Sequence, residues 1–409
     1  MKLVERHIRL NDKAIKDICF KSARLYNFCN YYKRQAYFGK ISKFGEYELS
    51  KLLGEFNQED YRNLPAQTSQ QIIKLLFKNW KSYFKALKEY KKYPSKFKGK
   101  PKPPKYKKKD GYFICIFTNQ QIKLKDKNIH FPKQTNIKPL KTKVNNIQQV
   151  RIIPQATCFI IEIIYNKKEV KHENIKEENI LSIDLGVNNL ITAIDNVGNY
   201  PFIINGKGLK SINQYFNKKK AKLMSYVGDK GTSNKIKKLT FDRNNKIENA
   251  LHQVSSFILK YCLKNNIGTV IIGKNEQWKQ KINIGTKNNQ NFVFIPHSKL
   301  INKIKYKLEL NNIKLIEQEE SYTSKCDNLV LEPIQKQKVY LGKRIKRGLF
   351  LSSIGKVINA DVNGAIGIML KSKVIPECER FIQNIRNTGL GFNPYRINSI
   401  KSFELKCNV

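Results

Sequence analysis

The sequence predicts a multidomain chain of mixed α/β and α+β class. A half built on alternating strands and helices follows a β-rich region that helices interrupt. Three observations predict this. From residue 178 onward, short apolar runs alternate with helical periodicities. Before about residue 170, short β-rich runs surround long amphipathic patterns. A Pro- and Lys-rich break separates the two kinds of pattern near residues 90–110. The length, 409 residues, allows two or three domains.

Glu5 to Leu10 is a short strand candidate. Asn11 or Asp12 caps a helix to about Phe38, with Ile15, Ile18, Cys19, Ala23, Tyr26 and Cys29 at helical spacing. Pro65 opens a second helix through Ile72, Leu76, Trp80, Tyr83, Phe84 and Leu87. Lys78, Lys81 and Lys85 interleave with those aromatics, a stripe suited to tracking phosphates over an apolar core stripe. In YKKYPSKFKGKPKPPKYKKKD, residues 90–110, the prolines forbid helix. There Lys96, Lys98, Lys100, Lys102, Lys107 and Lys108 flank Phe97 and Tyr106, a pattern suited to backbone contact and base stacking. A flexible linker is the plainer alternative. Short strands from Tyr112 to Tyr165 suggest a small antiparallel barrel.

After a charged linker, Leu181–Asn189 reads as a strand, a tight turn and a returning strand, with a third strand at residues 201–205. Two helices lie around residues 228–231. The first carries Lys219 and Lys220, and the second carries Arg243. Thr269–Ile272 and Ile313–Ile316 are buried-looking strands, with a helix opened by Pro296 between them. A last helix spans the small residues Ala360, Gly364, Ala365 and Gly367, which let a helix lie close against a sheet.

Lys and Arg number 78 against 32 Asp and Glu, a net charge of +46, so a polyanion, nucleic acid foremost, is the expected partner. No apolar run reaches the roughly 18 residues of a membrane span, and no signal-peptide pattern stands at Met1. No membrane association is therefore expected, and no obligate protein partner. None of the eight cysteines forms a CxxC pair, which argues against a zinc ribbon and fits a reducing cytoplasm.

Two isolated aspartates carry the chemistry. Asp184 ends an apolar strand, and Asp361 opens the small-residue helix. A buried carboxylate is costly unless paired, and a hard divalent cation is a fitting partner. A turn-capping role for Asp184 is the alternative on that stretch alone. Two aspartates from distant segments suit a two-metal phosphodiesterase.

IDLGVNNLITAID and INADVNGA resemble the first and third RuvC-type motifs of the TnpB family, relatives of the type V CRISPR effectors, and EESYTSK resembles the segment between them. The resemblance runs to about Leu370. It implies an RNA-guided DNA nuclease with an RNase H-like (RuvC) domain, Mg²⁺ (or Mn²⁺) as cofactor, and guide RNA and target double-stranded DNA as partners. It also implies an N-terminal β-barrel, residues 1–10 and 105–170, interrupted by a helical recognition lobe, residues 11–104. The nuclease domain would comprise residues 178–324 and 350–372, with a small insertion lobe at 325–349 and a C-terminal tail at 373–409.

The sequence departs from the family in two places. Where the second motif places a glutamate, Gly273 stands. Two carboxylates hold two hard cations poorly, so a substitute is expected among Glu276, Glu317, Glu319 and Glu320. Glu320, at the end of the neighbouring strand, is favoured, and Glu319 comes second. The expected catalytic and metal-binding set is Asp184, Glu320 and Asp361. The insertion lobe retains only Cys326 of a four-cysteine ribbon. Its basic run, with Lys343, Arg344 and Arg347, is expected to face nucleic acid. Asn289, Asn291 and Phe292 are candidates for a loop over the cleft. The alternative function is a nuclease-dead RNA-guided DNA binder, a repressor or transposition accessory.

Overall fold

The structure is a computed structural model that describes residues 1–228, 231–274 and 295–398. Glu276, Asn289, Asn291 and Phe292 lie outside the described residues. The chain divides into two compact units, Met1–Lys167 and Lys168–Val409.

The first unit begins with β1 (Lys2–Arg9) and α1 (Lys13–Tyr37). Asp12 caps α1, its Oδ1 accepting from Ile15 N at 3.1 Å. Then come α2 (Glu46–Glu55), α3 (Glu59–Arg62) and α4 (Ala66–Lys92). The strands β2 (Cys115–Thr118), β3 (Lys123–Lys125), β4 (Asn128–His130), β5 (Leu140–Lys141), β6 (Ile147–Pro154) and β7 (Phe159–Asn166) follow. They form a four-stranded sheet in the order β1-β7-β6-β2 and a three-stranded sheet β3-β4-β5. Among the described residues these ladders do not close into the expected barrel. Nor do the helices stand apart as a lobe: Ile15, Leu25, Leu76 and Trp80 share one core with Phe117, Val150 and Ile161.

The Pro- and Lys-rich segment is strapped along α1. Asn30 Nδ2 and Arg34 Nη1 donate to Pro104 O, at 3.1 and 3.0 Å. Asn27 exchanges two hydrogen bonds with the backbone of Lys107. This segment is therefore anchored, which the linker alternative did not foresee.

The second unit runs β8 (Lys176–Asp184), β9 (Asn189–Asp195), β10 (Phe202–Asn205), α5 (Lys207–Val227), α6 (Asn234–Lys264) and β11 (Ile267–Gly273). It continues through α7 (His297–Leu310), β12 (Lys314–Gln318), β13 (Lys343–Lys346), β14 (Leu349–Leu351) and β15 (Val357–Asn359). It ends with α8 (Ala360–Lys371), α9 (Cys378–Thr388) and β16 (Tyr395–Ile397). Six strands form one sheet in the order β12-β11-β8-β9-β10-β16. Strands β8, β11 and β12 run parallel, while β9 is antiparallel to both its neighbours. Helices α5 and α6 follow the strands β8–β10, α7 links β11 to β12, and α8 comes after the short strands β13–β15.

Side chains alternate across the sheet. Leu181, Ile183, Val270 and Ile272 pack toward α6 and α7. Ile180 and Ile271 pack toward α8 and α9. By the same parity, Asp184 and Gly273 face α8. The residues expected to be a plain tail instead include a helix, α9, and an edge strand, β16, parallel to β10. The insertion lobe is the hairpin β13–β14, extended by β15.

Among the described residues, no helix is long and apolar enough to cross a membrane.

Candidate active site

Asp184 is the last residue of β8, a central strand of the sheet. The turn after it is tight. A Cβ at Gly186 would overlap Asn189 O, so only glycine fits. His297, buried at the start of α7, lies with Nε2 at 3.0 Å from Gly186 O and braces this turn.

Asp361 comes to Asp184 on α8. Asn359 caps that helix, its Oδ1 accepting from Asp361 N at 3.0 Å and Val362 N at 3.2 Å. The helix can approach because its facing residues lack side chains: a Cβ at Gly364 would stand 3.1 Å from Asp184 Oδ2. Ser182 Oγ donates to Ala365 O at 2.7 Å, which fixes the register of strand against helix. Asp361 Oδ2 accepts from Asn189 Nδ2 at 2.6 Å, and its Oδ1 lies 3.8 Å from Arg344.

Glu320 approaches from the other flank, just beyond the end of β12. Gly273 ends β11, between β12 and β8. A Cβ on Gly273 would overlap Glu320 Oε2 and come within 2.5 Å of Ile368 Cδ1. The space a side chain at 273 would take is therefore filled by the neighbour's carboxylate. Among the described residues, the other candidate acids, Glu317 and Glu319, point elsewhere. Glu317 pairs with Lys274. Glu319 pairs with Lys371 and accepts from Ser321 N, bonds that hold its carboxyl below the usual range.

The electrostatics single out the same residues. Removal from water, then the charges of Glu320 and Asp361, push the Asp184 carboxyl up to about 8. Burial and then Glu319 push Glu320 up to about 7. Like-charged acids held together in this way are a cost that a cation relieves.

Asp184 and Asp361 open into a cavity of about 810 Å³ lined also by Asn189, Lys210, Arg344, Arg347 and Arg396. Its lining thus sets four basic side chains beside two acidic ones, a charge distribution that suits a phosphodiester with bound cations. All three acids supply hard oxygen donors, which suits Mg²⁺ or Mn²⁺. Among the described residues, no three His, Cys, Asp or Glu side chains already stand as a closed ligand set. The donors fit such a cation by their chemistry and by the space left at Gly273.

The other expected contact residues are spread over both units. Lys78, Lys81, Lys85, Lys96, Lys98, Lys100, Lys102, Tyr106, Lys108, Lys219, Lys220, Lys343, Arg344 and Arg347 are exposed. Two are placed differently from the expectation. Lys107 Nζ sits over the rings of Tyr26 and Phe113, at 4.4 and 4.3 Å, so its charge is spent within the protein. Arg243 is half-buried, its Nε and Nη2 donating to Asn213 Oδ1 at 2.9 and 2.6 Å. Sequence reading missed Asn189, Lys210, Arg396 and His297. Only Asn189 had a local signal, its place beside the first motif. Cys326 is buried, with Sγ 3.6 Å from Pro333 O.

Comparisons with known proteins agree with this fold. Residues 163–279 match the family model OrfB_IS605, described as a probable transposase, and residues 297–368 match that of the Cas12f1-like TNB domain. The TnpB-like protein ORF457 of Acidianus two-tailed virus is 22% identical over 406 residues, covering 88% of this chain and 84% of its own. The protein in a Cas12f1–sgRNA–target DNA complex is 16% identical at TM-score 0.50, covering 86% of this chain and 81% of its own. The mini-RNA-guided endonuclease CRISPR-Cas phi3 is 10% identical at TM-score 0.48, covering 91% and 92%. The two family models fall on the two halves of the site, one spanning Asp184 and Gly273 and the other Glu320 and Asp361, and across it the chain is similar to TnpB-like proteins.

Proposed function

We propose that this chain is an RNA-guided, metal-dependent DNA endonuclease that hydrolyses target phosphodiesters at Asp184, Glu320 and Asp361. The observation that carries the proposal is the Glu320 carboxylate standing where a side chain at Gly273 would be, beside Asp184 on the next strand. The site lacks the second-motif acid at its family position, and Glu320 replaces it from the adjoining strand.

A guide RNA pairs with one DNA strand, while the exposed lysines of the first unit hold the nucleic-acid backbone without reading sequence. The complex containing the Cas12f1 relative is named with a guide RNA and a target DNA, which supports this class of partner. Bound Mg²⁺ or Mn²⁺ would supply an activated water and stabilise the leaving oxygen. Asp184 would hold both ions, and Glu320 and Asp361 one each. Asn189 orients the Asp361 carboxyl, and Asn359 fixes the helix end that presents it. Lys210, Arg344, Arg347 and Arg396 draw the DNA phosphates into the cavity.

The test is Asp184→Ala in the reconstituted ribonucleoprotein. Magnesium-dependent cleavage is expected to vanish while DNA binding persists. Undiminished cleavage would rule out the site, and a wild-type complex that binds target DNA but never cuts it would favour a binding-only protein.

A further inference from the structure

Two consecutive buried residues, Asp327 and Asn328, tie together the segments that carry the site. Asn328 Nδ2 donates to Thr323 O and Asn363 O, both at 2.8 Å, and reaches Asn363 Oδ1 at 3.1 Å. Thr323 Oγ1 in turn donates to Glu320 O at 2.8 Å. Asn363 lies on α8 two residues beyond Asp361, and its Nδ2 donates to Cys326 O at 3.0 Å. One amide group thus spans the loop that bears Glu320 and the helix that bears Asp361.

Asp327 makes the third connection. Its Oδ2 accepts from Ser352 Oγ and Ser353 N, both at 2.7 Å, and from Ser353 Oγ at 2.9 Å. Those serines follow β14, whose hairpin partner β13 carries Arg344. Asp327, Asn328 and Asn363 are all wholly buried. Asp327 Oδ1 and Asn328 Oδ1 have no hydrogen-bond partner among the described residues.

A partly satisfied buried polar cluster is a poorer way to fill volume than apolar side chains. Directional bonds do what apolar packing does not: they fix a separation. The crossing leaves no slack, since a Cβ at Gly367 would lie 2.6 Å from Thr323 O and 2.8 Å from Asn328 Nδ2.

We propose that Asn328 is a positioning residue that sets the separation between the Glu320 and Asp361 carboxylates, while Asp327 holds the Arg344 hairpin to the same point. This rests on the reading of these acids as a hydrolytic metal site. The test uses the full chain with its guide RNA, comparing Asn328→Ala and Thr323→Val with the parent. The readouts are thermal melting, Mn²⁺ affinity by electron paramagnetic resonance, target-DNA affinity, and single-turnover cleavage.

At temperatures where it is folded, N328A is expected to weaken Mn²⁺ binding and slow cleavage by about tenfold or more, with DNA affinity unchanged. T323V, which removes only the hydroxyl bonded to Glu320, is expected to shift both about threefold in the same direction. Parent-like Mn²⁺ affinity and cleavage in both variants would overturn the inference, and T323V decides it if N328A does not fold. DNA affinity that falls in step with cleavage would also overturn it, because general loosening does that. A parent chain that neither binds Mn²⁺ nor cleaves would overturn the reading of the site itself, and the inference with it.

Discussion

Gly273 and Glu320 share one volume: the carboxylate of the second stands where the side chain of the first would begin. Gly273 ends β11 and Glu320 lies two residues past the end of its parallel neighbour β12, in the pairing that sets Gly273 opposite Gln318. The carboxylate thus occupies the space that the glycine leaves open.

That relationship predicts a swap. Glu320→Gln should lower metal-dependent cleavage by about 10²-fold or more, since a neutral amide holds a hard cation poorly. Gly273→Ala should cost about tenfold by displacing the carboxylate. The double variant G273E/E320A should recover part of the activity that E320A alone loses. Cleavage of a guide-matched duplex checks all three, and an active E320Q would remove Glu320 from the site.

The raised Asp184 carboxyl predicts a pH signature in metal-free buffer. The folded state keeps its proton up to about 8, whereas the unfolded chain loses it near 4. Between those values the native state binds more protons, so this group's contribution to stability falls as pH rises through the window. Asp184→Asn lacks the penalty. Its melting temperature should exceed the parent's by an amount that grows from pH 5 to 8 and then levels off. The gain should be on the order of 2 kcal/mol, because water in the cavity softens the cost. Adding Mn²⁺ should raise the parent's melting temperature at pH 8 and leave D184N nearly unmoved. Thermal scans across pH check both.

The strapped basic segment predicts a salt effect. Replacing Lys98, Lys100 and Lys102 by alanine should reduce the slope of log affinity against log salt by about 2 to 3, roughly 0.7–0.9 for each phosphate no longer neutralised. Cleavage at saturating nucleic acid should not change. A filter-binding series from low to high salt checks this, and an unchanged slope would exclude the segment from backbone binding.

Asn30 predicts where that strap is most easily undone. Its side chain accepts from Trp80 Nε1 at 3.0 Å and donates to Pro104 O at 3.1 Å, and it is wholly buried. Asn30→Ala would strand Trp80 Nε1 and leave Pro104 O to Arg34 alone, and should destabilise the first unit by about 1–3 kcal/mol. Trypsin should then cut within residues 96–109 much faster than in the parent. Denaturant titration and timed proteolysis check the two effects.

How much of this the sequence carried follows from what each residue needed. That Asp184 and Asp361 meet was legible because each is a lone acid in an apolar or small-residue run, and the structure brings both to one cavity. Glu320 was legible by counting along a strand and asking which neighbour could fill the space at Gly273. Lys107 and Arg243 were misplaced because a cation near aromatics reads the same whether it faces solvent or a ring. The barrel was overread because short strands do not reveal which ladders close. Strand β16 was missed because its residues, Tyr395–Ile397, are too few to show alternation. Lys210 and Arg396 reach the cavity only through tertiary placement, and no local pattern announces that.

The helix that presents Asp361 reaches the sheet from far downstream of the strand that ends in Asp184. During synthesis the first acid leaves the ribosome long before the last. A nascent chain halted anywhere between them holds the first of the two aspartates without the helix that brings the second to it.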